Sequence, residues 1–231
     1  MSTTPPAVDG ATVTMISLIG SLADNKGALG RRYGEWAVSA PTIESAVAAA
    51  AMAQDELGHA RSTYPVLAKL GVEREDDGLD AGTPMPAIAR ELPDWASFIA
   101  ANLVVDGILT TFVATARDSS IEPLAQRARK ILQEEGAHRV HAEAWLRRIS
   151  RTGGNDSELL RRRIEEMWSQ AARWPGPDDD PGYREAIERG MVADGPAAVR
   201  DRVRQWLERH GATVDLAEPD DWSAWDPERR Q

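Results

Sequence analysis

Apolar residues follow helical spacing along almost the whole chain, with Ala, Leu, Arg, Glu and Met filling long segments, and no run of alternating β-branched and polar residues suggests a sheet. The pattern predicts a first helix over Val13 to Val38, ending at Ser39-Ala40-Pro41, and a second from Pro41 to Leu70 stopped by Gly71, with Pro65 a candidate kink. From Val72 to Pro93 the chain turns to Glu, Asp, Gly and Pro, too polar and broken to continue a core helix. A third helix is expected after the capping candidate Asp94, reaching Arg117, and a fourth from Ser120 to Ile149. Two short turns and one long connection among four helices give the one-crossover order of a ferritin-like bundle.

After Thr152 the pattern predicts a helix over Asn155 to Arg173, a break at Trp174 to Gly182 and a helix pair, its second member Pro196 to Arg209 capped by Asp194. Trp168, Trp206, Trp222 and Trp225 suit a tail that packs on the bundle or on a partner. The expected division is a disordered lead-in at 1–10, an all-α four-helix bundle at 11–150 and a C-terminal helical extension at 151–231.

Composition narrows the function. At 42% hydrophobic residues, 231 residues can bury a core, while a formal charge of -10 argues against general nucleic-acid or anionic-membrane binding. The absence of cysteine removes disulfides, thiolate metal sites and cysteine nucleophiles, and suits a reducing cytoplasm. The first ten residues lack the basic and apolar regions of a secretory signal. The apolar stretch Phe98 to Ala116 is interrupted by Asn102, Asp106 and Gly107, which marks a buried helix rather than a membrane span.

The candidate chemistry lies in a repeated motif. The second helix carries Asp55-Glu56-Leu57-Gly58-His59 and the fourth Glu134-Glu135-Gly136-Ala137-His138, each a Glu-x-x-His that turns a carboxylate and an imidazole to one face. Two such helices need one more carboxylate from each of the others to hold two metals, and Glu35 and Asp106 are the candidates. Asp106 interrupts the apolar run Ile99 to Val113, where an unpaired carboxylate is costly unless a cation holds it. Asp55 and Glu134 are placed to accept hydrogen bonds from the imidazoles of the facing helix. His141 and His210 are expected outside the ligand set. Gly34, Gly58, Gly107 and Gly136 lie next to or near the proposed ligands and mean either close helix packing or a cavity for dioxygen and substrate.

On Glu35, on Glu56 and His59 within DELGHAR, on Asp106, and on Glu135 and His138 within EEGAHRVH, the chain from Ile16 to Ile149 resembles the catalytic subunit of the bacterial ring-1,2-phenylacetyl-CoA epoxidases, and more distantly benzoyl-CoA epoxidase. The aspartate on the third helix is shared with that catalytic component. The tract Leu29-Gly-Arg-Arg-Tyr-Gly-Glu-Trp also resembles the first helix of the same family's sister subunit, which has lost metal ligands and serves as a structural partner. The resemblance implies a di-iron monooxygenase with two iron ions on Glu35, Glu56, His59, Asp106, Glu135 and His138, using O2 on an organic substrate, with an aromatic acyl-CoA as one candidate. It implies a homo-oligomer or a hetero-oligomer with a related subunit. With no Gly-rich dinucleotide motif, electrons are expected from a separate reductase. The basic residues near the motifs, Arg31, Arg32, Arg61 and Arg139, are candidates for the phosphates of CoA. The alternatives are a metal-free structural partner subunit of such a complex and a di-iron oxidase or ferroxidase acting on another substrate.

Overall fold

A computed structural model describes residues 9–72, 82–212 and 214–231. Most of the expected lead-in and the centre of the expected crossover lie outside the described residues. The architecture is all-helical, with no strand among the described residues. Helix α1 (Gly10–Trp36) starts where the Asp9 side chain accepts from the Thr12 amide, and α2 (Ile43–Lys69) where Thr42 accepts from Ser45. A short α3 (Pro86–Ala89) lies in the long connection, which is tied to α1 by the Thr83 and Met85 amides donating to Asp24 and Asn25 at 3.0 and 2.8 Å.

The third bundle helix is capped by Asp94, which accepts from the Ser97 amide, but it is not one regular helix. It runs as α4 (Trp95–Ala100), a π-helical segment (Ala101–Asp106) and α5 (Gly107–Thr115). Of its most apolar window, 78% is buried inside the protein, as suits a core helix. Helix α6 (Glu122–Thr152) completes the bundle and ends where Gly153 takes a positive φ of 67°.

Helices α7 (Gly154–Ala171), α8 (Pro181–Glu188) and α9 (Pro196–Arg209) follow. The expected cap of α9 is displaced: Gly195 holds the N-cap position, and Asp194 instead pairs with Arg202 at 2.7 Å. Buried tryptophans fasten this part of the chain, with Trp174 donating to Ser21 Oγ at 2.9 Å and Trp168 to the Ala217 carbonyl at 2.8 Å. Arg230, almost fully buried, donates to the carbonyls of Trp174 and Pro175 at 2.8 and 2.6 Å.

A carboxylate and histidine box closed by a lysine

The two Glu-x-x-His motifs face each other from α2 and α6. Glu56, His59, Asp106, Glu135 and His138 are all at least 95% buried and converge in the middle of the bundle. The π-helical segment, which adds a residue to the turn, ends on Asp106. His138 Nδ1 lies 3.3 Å from Glu56 Oε1, 3.4 Å from Asp106 Oδ2 and 3.3 Å from Glu135 Oε2. His59 Nδ1 lies 3.4 Å from Glu135 Oε1 and 3.8 Å from Glu56 Oε2. The outer ring nitrogens reach across to the facing helix: His59 Nε2 meets Glu134 at 2.9 Å, and His138 Nε2 meets Asp55 at 3.2 Å. With these outer nitrogens protonated, both Nδ1 atoms are left facing the box.

From α1 the structure brings a lysine to this box, and not Glu35. Lys26 is fully buried and its ammonium donates to Glu56 Oε1 at 3.0 Å, to Asp106 Oδ1 at 2.6 Å and closely to Glu135 Oε1. Glu35 stands apart in the last turn of α1, with a side chain 38% exposed and paired with Arg32 at 2.7 Å. Nine residues amount to about two and a half helical turns, so Glu35 emerges on roughly the opposite side of α1 from Lys26 and about 13 Å further along. The signal for Lys26 is its place in the inward stripe Met15, Leu18, Leu22, Leu29 and Tyr33, all buried, where a charged residue needs buried partners.

The charges hold one another. Burial alone would push the Lys26 ammonium below its ordinary pKa, but Asp106, Glu135 and Glu56 outweigh it and hold it well above. Glu135, opposed by burial, is nevertheless held well below the carboxylate range by Lys26 and the two imidazoles. Burial raises Glu56, and the neighbouring Asp106 adds to this. His138 is lowered by burial but raised much more by its three carboxylates, and His59 in the same way is carried up to about 9 by Glu135 and Glu56. Three buried carboxylates share the one ammonium, and Asp55 and Glu134 stand behind the two imidazoles. The donor set does not fit the pair of irons implied by the resemblance: five of the six expected ligands are together, and a cation on α1 stands where the sixth would have to come from.

A cavity of about 400 Å³ opens against the box. Asp106, Glu135 and His138 border it on one side, Leu103, Leu132 and Ala142 supply apolar wall, and Val203 and Trp206 of α9 close it opposite. Arg139, Arg202 and Arg209 also line it, and the Arg139 guanidinium lies 4.5 Å from the Trp206 ring centre. Of the four arginines singled out in sequence, only Arg139 lines this cavity; Arg202 and Arg209 come from α9, far from either motif. Gly107 and Gly136 border it too, and a Cβ on Gly136 would meet nothing within 4 Å, whereas tight packing falls at Gly30, whose Cβ would come within 2.7 Å of Leu57. His141 is set among Trp95 and Phe98 and has no hydrogen-bond partner among the described residues.

A helical bundle with paired Glu-x-x-His motifs converging on a buried aspartate defines a carboxylate and histidine protein of the ferritin-like type. The chain belongs to the family of phenylacetic acid catabolic proteins, which matches it over residues 2–231. It is 29% identical over 152 residues to one component of the 1,2-phenylacetyl-CoA epoxidase of Escherichia coli (strain K12), covering 64% of this chain and 49% of that protein. It is 27% identical over 153 residues to a second, different component of the same epoxidase, covering 64% of this chain and 62% of that protein. The chain thus spans about half the length of the first relative and less than two thirds of the second.

Proposed function

We propose that the chain is an oxidoreductase component of an epoxidase-type complex that receives a substrate with an apolar body and an anionic handle, of the aromatic acyl-CoA class. The observation that carries this reading is the cavity, which joins the box to arginines through an apolar passage. Leu103, Leu132, Val203 and Trp206 would hold the apolar end, and Arg139, Arg202 and Arg209 the phosphates. The volume of about 400 Å³ suits an aryl acyl group, with the nucleotide lying outside. Relatives that are components of one epoxidase favour assembly with a related subunit, and a chain without cysteine or a dinucleotide motif draws electrons from a separate reductase.

A second reading, a structural partner for a catalytic sister subunit, is favoured by Lys26, whose ammonium stands among Glu56, Asp106 and Glu135 in the middle of the box. Calorimetric titration of the full chain, alone and with its sister subunit, with phenylacetyl-CoA, benzoyl-CoA and free CoA tests the proposal. Binding of the thioesters that weakens tenfold or more in Arg202→Ala supports it; no binding of any of the three, in either setting, overturns it. Asp106→Asn in the reconstituted complex separates the two readings, since turnover is lost if this chain carries the chemistry and kept if its partner does.

A further inference from the structure

The mismatch between the box and a pair of metals has a specific form. Lys26 and His138 use different oxygens of two carboxylates: Asp106 gives Oδ1 to the ammonium and Oδ2 to the imidazole, and Glu135 divides Oε1 and Oε2 in the same way. Only Glu56 Oε1 serves both. An ion on the His138 side therefore need not expel the lysine.

On that side the donors are already gathered. Glu56, Asp106, Glu135 and His138 each offer one atom, all within 4.8 Å of one another. Ligands of one transition-metal ion at about 2.0–2.2 Å lie no more than about 4.4 Å apart, so the set closes on an ion by shifts of a few tenths of an ångström. Glu56 contributes Oε1 to this set; its other oxygen, Oε2, faces His59 Nδ1 at 3.8 Å, and both of those buried atoms lack a hydrogen-bond partner among the described residues.

Among the fully buried groups, three carboxylates and one ammonium leave two negative charges when both imidazoles are neutral, which one divalent ion cancels; Asp55 and Glu134, behind the imidazoles, are part-exposed and solvated. Two such ions would leave two positive charges in a dry interior. A glutamate at position 26 would instead supply four negative charges and balance two. On the His59 side, the third donor a metal would need from α1 is replaced by the ammonium, which already holds Glu135 Oε1.

We propose that the box holds a single divalent transition-metal ion on His138, Asp106, Glu135 and Glu56, with Lys26 fixed in the place of a second. The site is asymmetric as a result: His138 is a ligand, and His59, hydrogen-bonded outward to Glu134, is not. This goes beyond the proposed function and does not depend on the substrate.

The test is anaerobic titration of chelator-stripped full-length protein with Mn(II) and with Fe(II), read by mass-spectrometric metal analysis and by the electron paramagnetic resonance of bound Mn(II). The expected result is one ion per chain, occupancy falling tenfold or more in His138→Ala and kept in His59→Ala. Lys26→Glu is expected to take two ions per chain and to show the exchange-coupled spectrum of a neighbouring pair. Two ions in the wild type, none, or equal loss in the two histidine variants overturns the proposal, as does a folded Lys26→Glu protein that still takes one. If Lys26→Glu does not fold, wild-type stoichiometry and the contrast between the histidines still decide.

Discussion

Replacing Lys26 by Met keeps the length of the side chain and removes the ammonium, leaving Glu56, Asp106 and Glu135, each at least 95% buried, without their shared cation. Removing one partner from a buried ionic group costs about 3–5 kcal/mol, because the partners stay charged or take up protons against their usual pKa. For a chain of this size about 1 kcal/mol corresponds to about 2–4 °C, so Tm should fall by about 6–20 °C in chelator-treated protein. The loss should be largest near pH 8 and smaller near pH 5, where protonation of the abandoned carboxylates relieves their repulsion. Glu35→Ala is the control. Its half-exposed pair with Arg32 is worth less than about 1 kcal/mol, so its melting curve should stay close to that of the wild type. Melting followed by circular dichroism at both pH values measures all of this. A Lys26→Met protein as stable as the wild type at pH 8, or a Glu35→Ala protein that loses more, would refute the assignment of Lys26 as the bundle's internal countercation.

Three further outcomes can be checked separately. The folded pKa of about 9 for His59 lies above its unfolded 6.5, so its contribution is fully present below pH 6.5 and lost as pH rises through 9. Urea midpoints of stripped protein should fall across that window and flatten in His59→Asn; a wild-type profile with no such fall counts against the geometry. Gly136→Ala fills open space in the middle of α6 and should raise stability by up to about 1 kcal/mol, seen as a higher Tm, and a lower one would mean a hidden clash. Arg230→Ala removes the guanidinium bonded to the carbonyls of Trp174 and Pro175 and to Ser17 Oγ, and should cost about 3 kcal/mol in denaturant unfolding, where a change below about 0.5 kcal/mol would show that the C-terminal turn is not fastened there.

Sequence by itself determined the helices, their order, and the pairing of the two motifs. Helical periodicity, capping residues such as Asp94 and stops such as Gly71 are local, and a Glu-x-x-His on a helix must turn both groups to one side. An aspartate within an apolar run is equally legible, since an isolated charge does not stay buried without partners. Which residue of α1 reaches the box was legible only in part: the apolar stripe Met15, Leu18, Leu22, Leu29 and Tyr33 marks Lys26 as inward, but its meeting with the three carboxylates depends on the rotation of α1 against three other helices, and the two-metal pattern asks for a carboxylate, which Glu35 offers only on the opposite side. The π-helical turn ending on Asp106 and the approach of α9, with Arg202, Trp206 and Arg209 beside the cavity, are likewise decisions of packing. Local sequence fixes how a helix repeats, but only the closed core fixes which of its faces is inside, and here that choice put an ammonium where a ligand was expected.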